Sequence, residues 1–287
     1  MSTVSVLSSS AALFSRYDTI ISDVWGVVHD GVRGLAPACA ALAAFRTGGG
    51  RVVLLSNAPG PSGQIADLLD AMHVPRGAWD RLVTSGDVTR ERVRKSGFKR
   101  IYHIGTDRDR EVFDGLDVHL VGEAEAQMVV ATELHDDRRE TPEHYRPLLA
   151  RLQARGLPMV CGNPDLVVHI GHELLPCAGA LATIYEELGG DVHWAGKPHR
   201  PAYDMALAQA LEARDGHPVD PARVLVIGDA ARTDLAGAQL MGFDALFIAG
   251  GIHRDEIMQG DVVNEASMAR VLARYDVGAV AAMSALA

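Results

Sequence analysis

The sequence predicts an α/β protein: a doubly wound, Rossmann-like parallel sheet with a second α/β domain inserted into it. Three observations carry that expectation. Short apolar runs rich in β-branched residues recur along the chain, each followed by a turn and then a helical pattern, the alternation expected of parallel strands joined by crossover helices. Polar residues stand just past the carboxyl ends of three of these runs, the edge at which open α/β sheets bind ligands. The length, 287 residues, suits two compact domains or one large domain carrying an insertion.

The elements follow in chain order. The first dozen or so residues lack a basic region and their apolar stretch is broken by Ser, so they read as a loose lead-in helix or arm rather than a signal peptide. Thr19-Ile20-Ile21-Ser22 is the first strand and ends at Asp23. A helix follows after Pro37 and stops at Gly48, Gly49 and Gly50, which supply C-cap geometry before the next strand. That strand, Arg51 to Leu55, ends at Ser56-Asn57; a third, Arg223 to Ile227, ends at Gly228-Asp229; a fourth, Ala245 to Ile248, precedes Gly250-Gly251. Between Thr84 and Trp194 lies a second series: Ile101 to Ile104, Val118 to Val121, Met128 to Ala131, Pro142 to Arg155, Met159 to Gly162 and Pro176 to Leu188. The first sheet closes without this block. The expected organisation is therefore a core from residues 1–83 and 195–287 with an inserted domain at 84–194. The short Ala-rich tail reads as frayed.

Composition narrows the partners. The chain has 37 acidic against 27 basic side chains, a formal net charge of −10. That is the wrong electrostatic footprint for nucleic acid or an anionic membrane, which need clustered Lys and Arg. No run approaches the roughly 20 apolar residues of a membrane span. Cys39, Cys161 and Cys177 are widely spaced and form no CxxC pair, so a disulfide framework or zinc knuckle is not expected, and a reduced, cytoplasmic chain is.

The segment Asp23 to Gly31 is a strand running into a Gly-punctuated loop that begins with a carboxylate. Such a carboxylate acts as a nucleophile if a cation holds it ionised and oriented. Far along the chain, Gly228-Asp229-Ala230-Ala231-Arg232-Thr233-Asp234 offers two more carboxylates around a turn. A set of hard oxygen ligands without Cys or His suits Mg²⁺ with several waters retained. In Gly196-Lys197-Pro198 the lysine offers a fixed positive point for a phosphoryl oxygen or for the nucleophile's carboxylate. Ser56 and Asn57 add hydroxyl, amide and backbone N–H donors. Each has an ordinary reading as well: Asp, Asn and Ser are common helix N-caps, and an isolated Gly-Lys-Pro is usually a turn. The chain has no GxSxG elbow and no P-loop.

The order of these segments is what makes them specific. Strand-terminal Asp23 with Gly26-Val27, then Ser56-Asn57, then Gly196-Lys197-Pro198, then Gly228-Asp229 with Thr233-Asp234 resemble the four motifs of the haloacid dehalogenase superfamily of phosphotransferases. The insert between the second and third motifs resembles the type-2 cap of subclass IIA, the group of p-nitrophenyl, pyridoxal and nucleotide or sugar phosphatases. Within it, Gly162-Asn163-Pro164-Asp165 and Pro176-Cys177-Ala178-Gly179-Ala180 look like that subclass's cap stretches. The resemblance implies Mg²⁺-dependent hydrolysis of small phosphomonoesters. Asp23 would attack phosphorus and form an aspartyl-phosphate. Mg²⁺ would be held by Asp23, the backbone carbonyl of Trp25 and Asp229, with Asp234 supporting. Ser56, Asn57 and Lys197 would bind the transferring phosphoryl oxygens. A small phosphorylated metabolite is the implied partner, and a homodimer through the cap is expected because such caps often pair.

Position 25 departs from the pattern. The family's phosphatases carry a second Asp there, which protonates the leaving oxygen and then activates water. Trp25 cannot exchange a proton at physiological pH, although the metal needs only its backbone carbonyl. Three readings follow: another group, His29 or Asp30 nearest in sequence or a cap residue, takes over; the substrate has a good leaving group; or the protein binds a phosphorylated ligand with weak or no turnover. Trp25 itself could pack without a chemical role or stack on a flat substrate ring. Aromatic residues at this position also occur in the family's metal-independent dehalogenases, so carbon–halide hydrolysis is a further alternative, one that Asp229 and Asp234 argue against. His169-Ile170-Gly171-His172-Glu173 matches neither zinc-protease spacing and reads as a cap loop. Asp165 and His172 are the candidates there for facing substrate.

Overall fold

The computed structural model describes residues 4–170 and 173–287. The chain forms two compact units, one built from the chain up to Ser56 with Ala66–Val83 and Tyr203–Ala287, the other from Asn57–Ile65 and Thr84–Ala202.

The first unit is organised by a seven-stranded sheet in the order Ser5–Val6, Ala281–Met283, Asp244–Ile248, Val224–Gly228, Thr19–Ser22, Arg51–Ser56, Arg81–Thr84. Thr19–Ser22 lies near its centre, parallel to both Val224–Gly228 and Arg51–Ser56, with Ser22 level with Ile227 on one side and Leu54 on the other. All four of its residues are buried, as is every residue of Val224–Gly228. Strands covered on both faces need apolar residues at successive rather than alternate positions, and that is how Ile20-Ile21, Val52 to Leu55 and Val224 to Ile227 are written. The following helix, Ala36–Thr47, takes Pro37 into its first turn and ends at Gly48, with Gly49 at φ +95° beyond it. Proline fits the first turn because no N–H is needed there, and glycine fits the left-handed exit.

Both chain ends depart from expectation. Ala281–Met283 is not frayed: it is a buried strand, parallel to Asp244–Ile248 on one side and Ser5–Val6 on the other. The described part of the lead-in is not loose either. Leu13 and Phe14 of the short Ala11–Phe14 helix are buried, and the Ser10 backbone N–H and hydroxyl both donate to the Ala287 carbonyl, at 2.8 and 2.7 Å. Alanine has little intrinsic preference for strands, so the tail is ordered by the ladder offered by its neighbours and not by its own sequence.

The second unit has a five-stranded parallel sheet in the order Val192–Trp194, Met159–Cys161, Met128–Ala131, Arg100–Ile104, His119–Leu120. Its core joins Ile104, Val129, Leu149, Leu152, Met159, Leu181 and Tyr185. The helix Ser85–Ser96 opens with a reciprocal cap between Thr84 and Asp87 and closes at Gly97, φ +72°. The stretch expected to be a cap loop around His169 contains an antiparallel strand pair, Val167–Ile170 with Glu173–Pro176; His172 lies outside the described residues. Among the described residues no helix is long and apolar enough to cross a membrane.

Candidate active site

In the first unit the carboxyl edge of the sheet gathers the acidic residues. Asp23 directly follows the Thr19–Ser22 strand, and its N–H donates to the Ile227 carbonyl at 2.8 Å, extending the ladder by one residue. Asp229 follows Gly228 at the end of the adjacent strand, and Asp234 comes round on the next turn, Ala231–Leu235. One carboxylate oxygen from each of Asp23, Asp229 and Asp234 lies within 4.8 Å of the others. Ser56 ends the strand on the other side of Thr19–Ser22, so it stands on the same edge.

The backbone around these carboxylates is shaped to hold them. A Cβ on Gly26 would lie 2.1 Å, and one on Gly251 2.0 Å, from the same Asp229 oxygen; one on Gly228 would lie 2.1 Å from the Asp234 carboxyl carbon. Three glycines thus make room that any side chain would fill. Two backbone donors orient the acids: Ile252 N–H to Asp229 Oδ2 at 2.7 Å and Ala230 N–H to Asp234 Oδ2 at 3.1 Å. Three converging carboxylates repel one another, and a small, hard divalent cation is the group whose charge and ligand preference fit that oxygen-only set.

A residue that the sequence reading passed over lies under this turn. His253 is buried; its Nε2 receives the Ala231 N–H at 3.3 Å, and its Nδ1 faces Glu256 Oε1 at 3.2 Å. An imidazole nitrogen that accepts from a peptide N–H is unprotonated, so Nδ1 carries the proton. The signal was available: Gly250-Gly251-Ile252-His253 follows a fourth strand at the same edge.

Trp25 is 38% exposed. Its indole meets His29 edge to face, with centroids 5.1 Å apart, and a Cβ on Gly31 would lie 2.7 Å from its Cζ2. The two nearby titratable residues are both engaged within the loop. His29 is 3% exposed, its Nδ1 accepts the Gly31 N–H at 2.9 Å, and burial holds the ring below its ordinary pKa. Asp30 accepts the N–H groups of Arg33 and Val32 at 2.9 and 3.0 Å, which hold its carboxyl below the usual range.

In the second unit, Asn57, Lys197 and Asp165 come together. The Asn57 side-chain oxygen accepts the Lys197 N–H at 2.8 Å, while its Nδ2 donates to the Lys197 carbonyl and to Asp165 Oδ1, both at 3.1 Å. Ser85 Oγ adds a donor to the same oxygen at 3.4 Å. Gly196 is glycine because a Cβ there would lie 2.1 Å from Ser85 Oγ and 2.4 Å from Asn57 Oδ1. The Asn57 amide is thereby committed to fixing the backbone from which the buried Lys197 side chain springs. The two cap-like stretches also meet: a Cβ on Gly179 would lie 2.4 Å from the Pro164 carbonyl oxygen and 2.5 Å from that of Asp165.

The parallel α/β sheet with acidic residues gathered at its carboxyl edge defines a Rossmann-like fold of the hydrolase class, as similar proteins show. A family profile described as haloacid dehalogenase-like hydrolase matches residues 20–119, and one described as HAD-hydrolase-like matches residues 194–274. A crystal structure of a hydrolase of the haloacid dehalogenase-like family from Brucella suis 1330 is 45% identical, covering 98% of this chain and 100% of that one, with a TM-score of 0.86. A possible sugar phosphatase of the same superfamily from Cytophaga hutchinsonii is 17% identical with a TM-score of 0.76, each chain covered to 98%. The 5'-nucleotidase YutF of Bacillus subtilis is 22% identical over 248 residues, 86% of this chain and 92% of that protein. The chain belongs to the haloacid dehalogenase-like hydrolase family.

Proposed function

We propose that the chain is a Mg²⁺-dependent hydrolase of small phosphomonoesters that works through an aspartyl-phosphate on Asp23. The observation that carries the reading is the convergence of Asp23, Asp229 and Asp234 within 4.8 Å in a glycine cradle at the carboxyl edge of one sheet. The names of YutF and of the possible sugar phosphatase support the phosphate class.

In this reading an Asp23 oxygen attacks phosphorus in line with the departing oxygen, and water later cleaves the acyl phosphate. Asp23, the Trp25 carbonyl, Asp229 and Asp234 are the groups that would hold Mg²⁺, which when bound supplies positive charge against the phosphoryl oxygens. Ser56 contributes a hydroxyl at the same edge, and Lys197 a cation for the transferring group. Asn57 acts on Lys197 through the backbone it clamps. The inserted unit serves as the cap that selects substrate, with Asp165 and His172 as its candidate contacts, and it is the surface through which a second copy would pair. The three cysteines are buried thiols outside any disulfide, which fits a reducing, cytoplasmic setting.

Phosphate release from a panel of aryl, sugar, pyridoxal and nucleotide monoesters, with Mg²⁺ and with EDTA, tests the proposal. Asp23→Asn and EDTA should each abolish release; activity that survives either refutes the mechanism. The indole at position 25 favours one second reading, a protein that binds a phosphorylated metabolite with little turnover. Ligand-dependent rises in melting temperature without phosphate release would select it.

A further inference from the structure

The indole at position 25 sets a chemical limit that the surrounding loop reinforces. Resting on the hydrolase reading above, we infer that phosphoryl transfer to Asp23 proceeds without proton donation to the departing oxygen, so the substrates are phosphate esters or anhydrides whose leaving group is stable as an anion: a phenolate, an enolate or a carboxylate.

Gly26 is pressed against the Asp229 carboxylate, its virtual Cβ 2.1 Å from Oδ2, so the residue before it is tied to the acidic edge. That residue is Trp25, whose only polar hydrogen is an indole N–H that stays in place at any physiological pH. The loop behind it is closed by its own hydrogen bonds: Gly26 N–H to the His29 carbonyl at 2.8 Å, Gly31 N–H to His29 Nδ1 at 2.9 Å. His29 is buried. Asp30 turns Oδ1 to the Val32 and Arg33 N–H groups and Oδ2 toward the Arg33 guanidinium, 3.7 Å away. Both of its oxygens face positive donors, and such a carboxylate gives up no proton to a neighbour.

The step then balances without an acid. An Asp23 carboxylate oxygen bonds to phosphorus, the bond from phosphorus to the substrate oxygen breaks, and its electron pair leaves with that oxygen as an anion, which takes a proton from solvent only after departure. In the second half a water oxygen bonds to phosphorus and the bond to Asp23 breaks. The carboxylate is regenerated, and the water's protons pass to the released phosphate and solvent. The anionic product bears the charge that a general acid would have neutralised, so the barrier follows its basicity. An alkoxide is penalised by about the 10²- to 10⁴-fold that general acid catalysis usually contributes.

The test is kcat/KM of the full chain with Mg²⁺ across substituted phenyl phosphates, acetyl phosphate and ethyl phosphate. A steep fall with rising leaving-group pKa, with ethyl phosphate at least about 10²-fold below the phenyl esters, is expected. Comparable kcat/KM for ethyl and p-nitrophenyl phosphate overturns the inference while leaving the hydrolase standing. Failure to cleave even p-nitrophenyl and acetyl phosphate overturns the hydrolase reading itself. Trp25→Asp supplies the missing acid, so it should raise ethyl phosphate turnover far more than p-nitrophenyl phosphate turnover and flatten the pKa dependence; a variant that changes both esters in equal proportion also counts against the inference. Because the native series needs no substitution, a variant that fails to fold does not remove the test.

Discussion

Asn57 and Lys197 are joined by a peptide-like pair of hydrogen bonds: the side-chain oxygen of Asn57 takes the Lys197 N–H at 2.8 Å and its Nδ2 gives to the Lys197 carbonyl at 3.1 Å. Two residues 140 positions apart are thereby held in register, and both are buried. Asn57→Ala leaves both Lys197 backbone groups without that partner, a loss of about 1–3 kcal/mol. Asn57→Asp should cost more, since it turns a carboxylate oxygen toward the Lys197 carbonyl and toward Asp165. Urea denaturation of the three proteins measures the order. An Asp variant as stable as the native chain would contradict the assigned bond directions.

The convergence of Asp23, Asp229 and Asp234 makes a prediction in the absence of substrate. Three carboxylates within 4.8 Å repel at neutral pH, and a bound dication converts that repulsion into attraction. Melting temperature should rise with millimolar Mg²⁺ and fall back with EDTA. Asp229→Asn keeps an acceptor for the Ile252 N–H but removes a charge, so its metal-free form should melt no lower than the native chain while the Mg²⁺-dependent rise shrinks. An undiminished rise in that variant would remove Asp229 from the ligand set.

Glu133 in the second unit gives a pH signature. Burial, with Asp109 adding to it, pushes its carboxyl from an ordinary 4.5 up to about 7, against the pull of Arg108. A pKa raised on folding means the folded state binds the proton more tightly than the unfolded chain. The associated stability is full below about 4.5 and is lost as pH rises through about 7. Glu133→Gln removes the titration while leaving an acceptor for the Arg108 N–H, 3.1 Å away. The variant's gain on the native protein should grow from about pH 5 and level off above about pH 7, at a size on the order of 3 kcal/mol, and should vanish near pH 4. Parallel stability–pH curves for the two proteins would rule the shift out.

Much of the core was legible because its strands are buried on both faces. Ile20-Ile21, Val52 to Leu55 and Val224 to Ile227 must be continuously apolar, and each ends in a polar residue at the edge where the ladder stops. Asp23, Asp229 and Asp234 were identifiable from that punctuation and their order. The Ala281–Met283 strand was not, since alanine carries no strand signal and its place depends on Asp244–Ile248 and Ser5–Val6 offering a ladder. Asn57 was named as a donor, but its double bond to Lys197 joins segments far apart in sequence, and no local pattern encodes such a contact. His253 was marked only by its place after the Asp244–Ile248 strand and Gly250-Gly251; its bond to the Ala231 N–H, a group nearly any residue there would supply, leaves no pattern in the sequence.

His253 braces the turn between Asp229 and Asp234. Its Nε2 holds the Ala231 N–H at 3.3 Å, two residues past Asp229 and three before Asp234, and its other nitrogen faces Glu256, which Arg274 anchors at 2.7 Å. The turn that presents both carboxylates is therefore braced by the His253 imidazole. His253→Leu keeps most of the packing against Phe247 and Tyr275 but removes the acceptor, at a cost of about 1 kcal/mol or somewhat more in stability. Loosening the turn should also weaken divalent-metal affinity. His253→Gln, whose side-chain oxygen can reach the Ala231 N–H, should restore much of that affinity. Calorimetric titration with Mg²⁺ or Mn²⁺ separates the two effects: a Leu variant that is less stable yet binds metal as tightly as the native protein would make His253 a core residue with no part in shaping the acidic edge.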